Sequence, residues 1–516
     1  MPDTHYAVLH HRQGGGPMLR VLGSPKRLCD GLTRREMLCA GSLSLLGMRL
    51  ADFLRMTAAR AEHSPGRSSR SFGRAKACIL LYLYGSPSQL ETFDPKPDAP
   101  EEIRGELKSI RSSLAGADVC ELLPNTARVM DRVTLVRSMT HPYPIHGVAY
   151  ALTGVSAIDI PMELNPRDAR HWPFIGSVVD YVGRQHAKKS AVPGNIALPF
   201  PFSSQRVGEV ARAGPYAAFL GAAYNPVWTA FRGEATRKIV KTLQEQKIEV
   251  GEPYMGISPA SRFEIADATE LPAEITLDRL DRRRTLTQQF DDARRDMRDS
   301  DVGRGHDRFR DMAYDLIGSE KVRAALELTR ESVKLRESYG MTLFGQAALT
   351  ARRLVEAGSR FVTVFWDEYG LAGSGWDTHW DHYPRMKDEL LPGLDRALAG
   401  LIEDLDDRGM LDDTLVLCLS EHGRTPKMQN VKGGGRDHWS RCYSAVAAGG
   451  GVTRGKVLGR SDKIAGDVAE RPVSPKDVLA TVYHLLGIDP ETTLTDRTGK
   501  PVPLVAEGSV LSEILV

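Results

Sequence analysis

Residues 77–84 read ACILLYLY, eight apolar positions in a row without a polar interruption. A strand with one solvated face alternates apolar and polar side chains, so an unbroken run of this length belongs to a strand covered on both faces. Four further segments have strand length and composition: 132–137 (RVTLVR), 361–366 (FVTVFW), 415–419 (LVLCL) and 443–448 (YSAVAA). Between them lie helical patterns, at 121–130, at 146–154, through Ala351–Val355 to a stop at Gly358, over 388–409, and from a Ser474-Pro475-Lys476-Asp477 start to Gly487. Strands alternating with helices imply an α/β fold around a mostly parallel sheet.

The polar residues are placed as tellingly as the apolar ones. In an open α/β sheet, ligands collect beyond the carboxyl ends of the strands. Here Glu91 and Asp94 follow the first run, and Ser138, Thr140, His141 and His146 follow the second. Asp377, His379, Asp381 and His382 follow the third, and Glu421, His422, Asp437 and His438 follow the fourth. Carboxylates and imidazoles at the end of a buried strand cost several kcal/mol, roughly the desolvation penalty, unless paired or coordinated. A mixed nitrogen–oxygen set suits a divalent metal, zinc before calcium or manganese, as one or two ions. Taken singly, Asp377 and His379 would also suit an Asx turn, and Glu421-His422 a helix cap with a surface histidine. Arg424 and Arg436 could hold an anionic ester, or equally form ion pairs with neighbouring carboxylates.

Of the 516 residues, 41% are hydrophobic and 26% charged, as in ordinary globular proteins. Residues 1–76 hold thirteen Lys or Arg against five Asp or Glu, and the remainder 55 against 61. A basic tail on a slightly acidic body is not the basic face that nucleic acid requires. Residues 1–75 read as a leader and linker, 76–516 as the folded domain, with a looser, charge-rich helical insertion at about 155–345. Cys78 and Cys418 lie inside apolar runs and read as core residues, since the chain has no Cys-x-x-Cys pair. No stretch approaches 18 consecutive apolar residues, so no integral membrane segment is indicated.

Within the tail, Thr33-Arg34-Arg35 before the weakly apolar run to Gly47 resembles a twin-arginine export signal. That implies a periplasmic or secreted protein; an ordinary basic tail would leave it cytoplasmic. Ser420-Glu421-His422-Gly423 resembles the SDHG or ADHG motif of the alkaline phosphatase superfamily, whose Asp and His bind separate metals. The segment SPKDVLATVYHLLGID at 474–489 is similar to one in sulfatases, and His146 with Leu152-Thr153-Gly154 to one in related phosphodiesterases. More closely, SPSQLETFDPKP, RSMTH, HGVAYALTG, FGQAALTARRLVEAGSRFVTV, WDTH, SEHGRTP and GRDHW, in that order over 76–490, resemble the bacterial domain-of-unknown-function family 1501.

The resemblance implies an alkaline phosphatase-like α/β/α sandwich and a metal-dependent hydrolase of phosphate or sulfate esters, small or carried on glycans. Its metal ligands would be Asp377, His379, Glu421, His422, Asp437 and His438, completed by Glu91 or Asp94. Thr140, or else Ser138, stands where the superfamily has its nucleophile; without a covalent intermediate, water would attack. Arg424 would assist catalysis, and Arg436, His141 and His146 would bind substrate. Two departures matter. The superfamily ends its first strand in a metal-binding Asp, whereas this one ends in Tyr84-Gly85-Ser86, and relatives commonly carry Phe in place of His422. A binding or scaffolding protein that keeps the fold without the reaction is the alternative.

Overall fold

A computed structural model describes residues 70–155, 157–186, 192–207, 212–243, 246–265, 319–371 and 375–516. The Thr33-Arg34-Arg35 leader and the charged stretch 276–298 lie outside the described residues.

Nine strands build the central sheet: β1 (Ala77–Leu83), β2 (Val133–Met139), β3 (Asn195–Leu198), β4 (Val227–Arg232), β5 (Arg262–Ile265), β6 (Phe361–Trp366), β7 (Thr414–Leu419), β8 (Tyr443–Ala448) and β9 (Lys456–Leu458). Their order across the sheet is β5-β4-β3-β6-β1-β7-β8-β2-β9. β5 and β8 run against the rest; every other neighbouring pair is parallel. The unbroken apolar run thus becomes β1, a central strand buried at all seven positions.

Its side chains feed two cores. Ala77, Ile79, Leu81 and Leu83 point to one face, with residues of α1 (Pro124–Val129), and of two longer helices introduced below. Cys78, Leu80, Tyr82 and Tyr84 point to the other, with α2 (Val148–Thr153) and α3 (Ile175–His186). The first face is covered mainly by α4 (Leu343–Ala357) and α5 (Leu391–Asp407), the second also by α6 (Pro475–Leu485). Each fully buried Leu or Ile contributes about 1.5–3 kcal/mol, so this two-sided burial dominates the stability of the sheet. The result is the expected α/β/α sandwich.

Local signals set the helix ends. Thr342 caps α4 by accepting from the Gly345 N–H at 3.1 Å, and Gly358, at φ +113°, ends it in a left-handed turn. Ser474 and Asp477 form a reciprocal capping box at the start of α6. Among the described residues no helix is long and apolar enough to cross a membrane.

One strand gains a direction and one expectation changes. The segment 443–448 is a strand, but it runs antiparallel to β7 and β2. An apolar run carries no direction, which is decided by the connection before it. The span 155–345 is more than a helical insertion, because it supplies β3, β4 and β5 to the central sheet and a hairpin of Lys238–Leu243 with Gln246–Gly251. These strands are four to six residues long, and β3 and β4 lie next to prolines, so neither periodicity is sustained.

Candidate metal centre

The register levels the strand ends at one rim: Leu83 of β1 pairs with Trp366 of β6, and Tyr82 with Leu419 of β7. Beyond that rim, β1 continues into Gly85, β2 into Thr140 and His141, and β7 into Glu421 and His422. The loop after β6 brings Asp377 and His379, and the approach to β8 brings Asp437 and His438. His438 and Trp439 pair as a short strand with Gly423 and Arg424. The loops approach closely. Gly85 has φ +94°, and a Cβ there would lie 2.5 Å from the Asp377 nitrogen, so only glycine fits.

Asp377 is the hub. Its Oδ1 lies 3.0 Å from His379 Nε2, 3.2 Å from His438 Nε2 and 2.5 Å from Arg424 Nη2. Its Oδ2 lies 3.3 Å from His146 Nε2, and His146 Nδ1 is 3.1 Å from Glu421 Oε1. Glu421 also accepts the Gly85 N–H at 2.7 Å. His379 Nδ1 is 2.7 Å from Asp437 Oδ1, so that carboxylate holds the ring with Nε2 facing Asp377. One ligand atom each from Asp377, His379 and His438 lie within 4.8 Å of one another, and the same holds for His146, His422 and His438. His422 Nδ1 donates to the Gly423 carbonyl at 2.8 Å, leaving its buried Nε2 as an acceptor with no hydrogen-bond partner.

The donor set therefore fits a divalent ion: a carboxylate, an imidazole held by a carboxylate, and a second imidazole converge at a partly open rim. The electrostatics agree. Burial disfavours charge on Asp377, but Arg424 and His146 outweigh it and hold the carboxyl well below its usual range. Burial pushes His438 down to about 4, against a partial pull from Asp377, and the ring stays neutral as a ligand must. His422 is held well below its usual value by burial and by His438, His146 and Arg424. His146 goes the other way: burial lowers it, yet Asp377 and Glu421 raise it to about 10.

Of the expected ligands, Glu91 and Asp94 lie away from the cluster, and other expected residues take different contacts. Glu91 pairs with Arg436 Nη2 at 2.5 Å and faces His382, and neither Glu91 nor Arg436 is exposed enough to meet substrate. Asp94 is taken by Lys96 at 2.9 Å, Arg137 at 3.4 Å and the Ser461 hydroxyl. Arg424 is fully buried and donates to the carbonyls of Gly85, Ser86, Trp376 and Arg436 as well as to Asp377, so it ties loops together. Asp437 orients His379. His141 has both ring nitrogens engaged, Nε2 with the Glu421 carbonyl at 2.7 Å and Nδ1 with the Tyr143 N–H at 3.2 Å. Burial lowers it to about 4. Ser138 is buried in β2 against Gly459. Among the described residues no hydrogen bond joins the Ser138 or Thr140 side chain to the cluster.

Other groups at the site have a different place from the expected one or were not singled out in the sequence. His146 was assigned to substrate, yet it bridges the two central carboxylates. Asp367 and Glu368 follow β6 directly and are buried beside Arg206, with Nε 2.9 Å from Glu368 Oε2. The strand-end rule applied at Trp366 itself, and not ten residues later, points to them.

Among solved structures, Ps i-CgsB in complex with k-i-k-neocarrahexaose is 13% identical, with 80% of this chain and 72% of that one covered and a TM-score of 0.35. The PsFucS1 sulfatase from Pseudoalteromonas sp. is 11% identical, with 84% and 70% covered and a TM-score of 0.33. The phosphonate monoester hydrolase SpPMH from Silicibacter pomeroyi is 12% identical, with 86% and 76% covered and a TM-score of 0.34. None of the curated proteins matches the sequence. The model of a protein family of unknown function, DUF1501, matches residues 75–515, and the chain belongs to that family.

Proposed function

We propose that the rim cluster is a divalent-metal centre, zinc before calcium or manganese, that hydrolyses sulfate or phosphate esters, with glycan-borne esters the first class to test. The observation that carries this reading is the convergence of His146, His379 and His438 on the Asp377 carboxylate. The ester class rests on the resemblance of Ser420–Gly423 to the superfamily motif. Asp377, His379 and His438 would hold the ion, which supplies Lewis-acid polarisation of the ester oxygens when bound. Imidazole-rich sets favour zinc over calcium, which takes oxygen ligands. His379 is pre-oriented by Asp437. His146, held protonated between two carboxylates, is placed to deliver a proton to a leaving oxygen. Export through the twin-arginine-like leader belongs to the same proposal and is tested by fusing residues 1–75 to a periplasmic reporter.

Zinc content of the purified protein, with turnover of aryl sulfate and aryl phosphate, tests the reading. Bound zinc together with turnover, both lost in Asp377→Ala, supports it. Folded protein that takes up no Zn²⁺ on titration overturns it. One observation favours the non-catalytic alternative. The two arginines expected to hold an ester are consumed in buried contacts, and neither candidate hydroxyl is joined to the cluster. Metal binding without turnover of any ester would select that reading.

A further inference from the structure

Behind the rim a second polar cluster is sealed from solvent: Glu91, Thr378, His382 and Arg436 are each at most 1% exposed. Arg436 Nη2 donates to Glu91 Oε1 at 2.5 Å, and His382 Nε2 lies 3.4 Å from Glu91 Oε2. His382 Nδ1 is 2.7 Å from the Thr378 hydroxyl, and the backbone N–H of Arg436 donates to the Thr378 carbonyl at 3.1 Å. Four side chains thus join three segments: the loop after β1, the Asp377–His382 turn, and the approach to β8.

The positions in sequence give this cluster its meaning. Thr378 stands between Asp377 and His379, and Arg436 immediately precedes Asp437 and His438. A buried ion pair adds little stability compared with well-packed apolar residues, and its best-attested use is to fix register. Here the elements it holds in register are the two halves of the candidate metal centre. Arg424 completes the frame, with Nη1 on the Arg436 carbonyl at 3.1 Å and Nη2 on Asp377 Oδ1 at 2.5 Å.

We infer that Glu91, Arg436, His382 and Thr378 form a positioning clamp that sets the separation of Asp377 and His379 from His438, an inference that rests on the metal reading above. Glu91 and Arg436 therefore act through the ligands and touch neither ion nor substrate. Residues in this outer position typically change metal affinity 10–100-fold when removed, because the ligand geometry relaxes.

The test is a titration of metal-stripped, full-length protein with Co²⁺, followed by its visible absorption and by chelator competition. Thr378→Val removes the hydroxyl that engages His382 and leaves every charge in place. The expected result is a 10–100-fold loss of Co²⁺ affinity and a shifted visible band, both restored in Thr378→Ser. Glu91→Gln, judged by the same two readouts, serves as the second variant. Asp404→Asn breaks a buried contact between α5 and α4, with Arg352 at 2.8 Å, and should lower the melting temperature with Co²⁺ affinity unchanged. Wild-type affinity and spectrum in folded Thr378→Val and Glu91→Gln would overturn the clamp and leave the metal centre standing. Wild-type protein that binds no Co²⁺ would overturn both.

Discussion

His379 Nδ1 lies 2.7 Å from Asp437 Oδ1, and the opposite ring nitrogen faces Asp377 at 3.0 Å. The imidazole is thereby fixed between a half-exposed carboxylate that orients it and a more enclosed one with which it would share an ion. Asp437 is 49% exposed at its side chain, Asp377 14%. The two acids should therefore differ in consequence. Asp437→Asn is expected to weaken Zn²⁺ binding about 10–100-fold, as loss of an orienting partner does. Asp377→Asn should abolish measurable binding. Competition with a chromogenic chelator distinguishes the two, and equal losses would contradict the assignment.

Gly85 offers a test that leaves the candidate ligands chemically unchanged. At φ +94° an alanine pays about 1–2 kcal/mol in backbone conformation, and its Cβ would stand 2.5 Å from the Asp377 nitrogen. The Gly85 N–H also anchors Glu421 at 2.7 Å. Gly85→Ala should lower stability by roughly 2 kcal/mol or more, once the clash is added. It should also displace Asp377 enough to weaken metal uptake. Thermal melting and metal analysis on the same sample check both effects.

The Glu91–Arg436 pair predicts an acid dependence of stability. Burial would raise the Glu91 pKa, but Arg436 and His382 outweigh it and lower it from 4.5 to about 2. A carboxylate with a depressed folded-state pKa stabilises the fold fully above its unfolded value and loses that contribution as pH falls toward the folded one. The window is therefore about pH 4.5 down to 2, and the amount on the order of 3 kcal/mol. In urea unfolding across that range, wild type should lose stability more steeply than Glu91→Gln. Parallel slopes would mean that the pair does not carry the effect.

What the sequence makes legible here is local. Phe361–Trp366 and the Ser474–Asp477 capping box follow from composition and spacing within a few residues, and the structure has both. The direction of Tyr443–Ala448 and the sheet membership of β3, β4 and β5 depend on partners far along the chain, which no local pattern encodes. The site divides in the same way. Strand ends bring Asp377, His379, Glu421 and His438 together at one rim. Whether an acid binds metal or braces a ligand is decided by what meets it across hundreds of residues. Glu91 meets Arg436 and becomes a support. His146 has the opposite fate, because Asp377 and Glu421 close on it from two other loops.

The remaining prediction concerns the number of ions. Both candidate triples use His438. A neutral imidazole has one lone pair to donate, so His438 serves one ion at a time. The triple with Asp377 and His379 offers a carboxylate and an oriented ring. The triple with His422 and His146 offers no carboxylate, and His146, raised to about 10, would first have to surrender a proton. One Zn²⁺ per chain is therefore expected at saturation. His438→Ala should bring the content close to zero, whereas His422→Phe should retain one ion with affinity within about threefold, since it removes no member of the favoured set. Elemental analysis of the three proteins decides the matter, and two ions per wild-type chain would show that His438 is not shared.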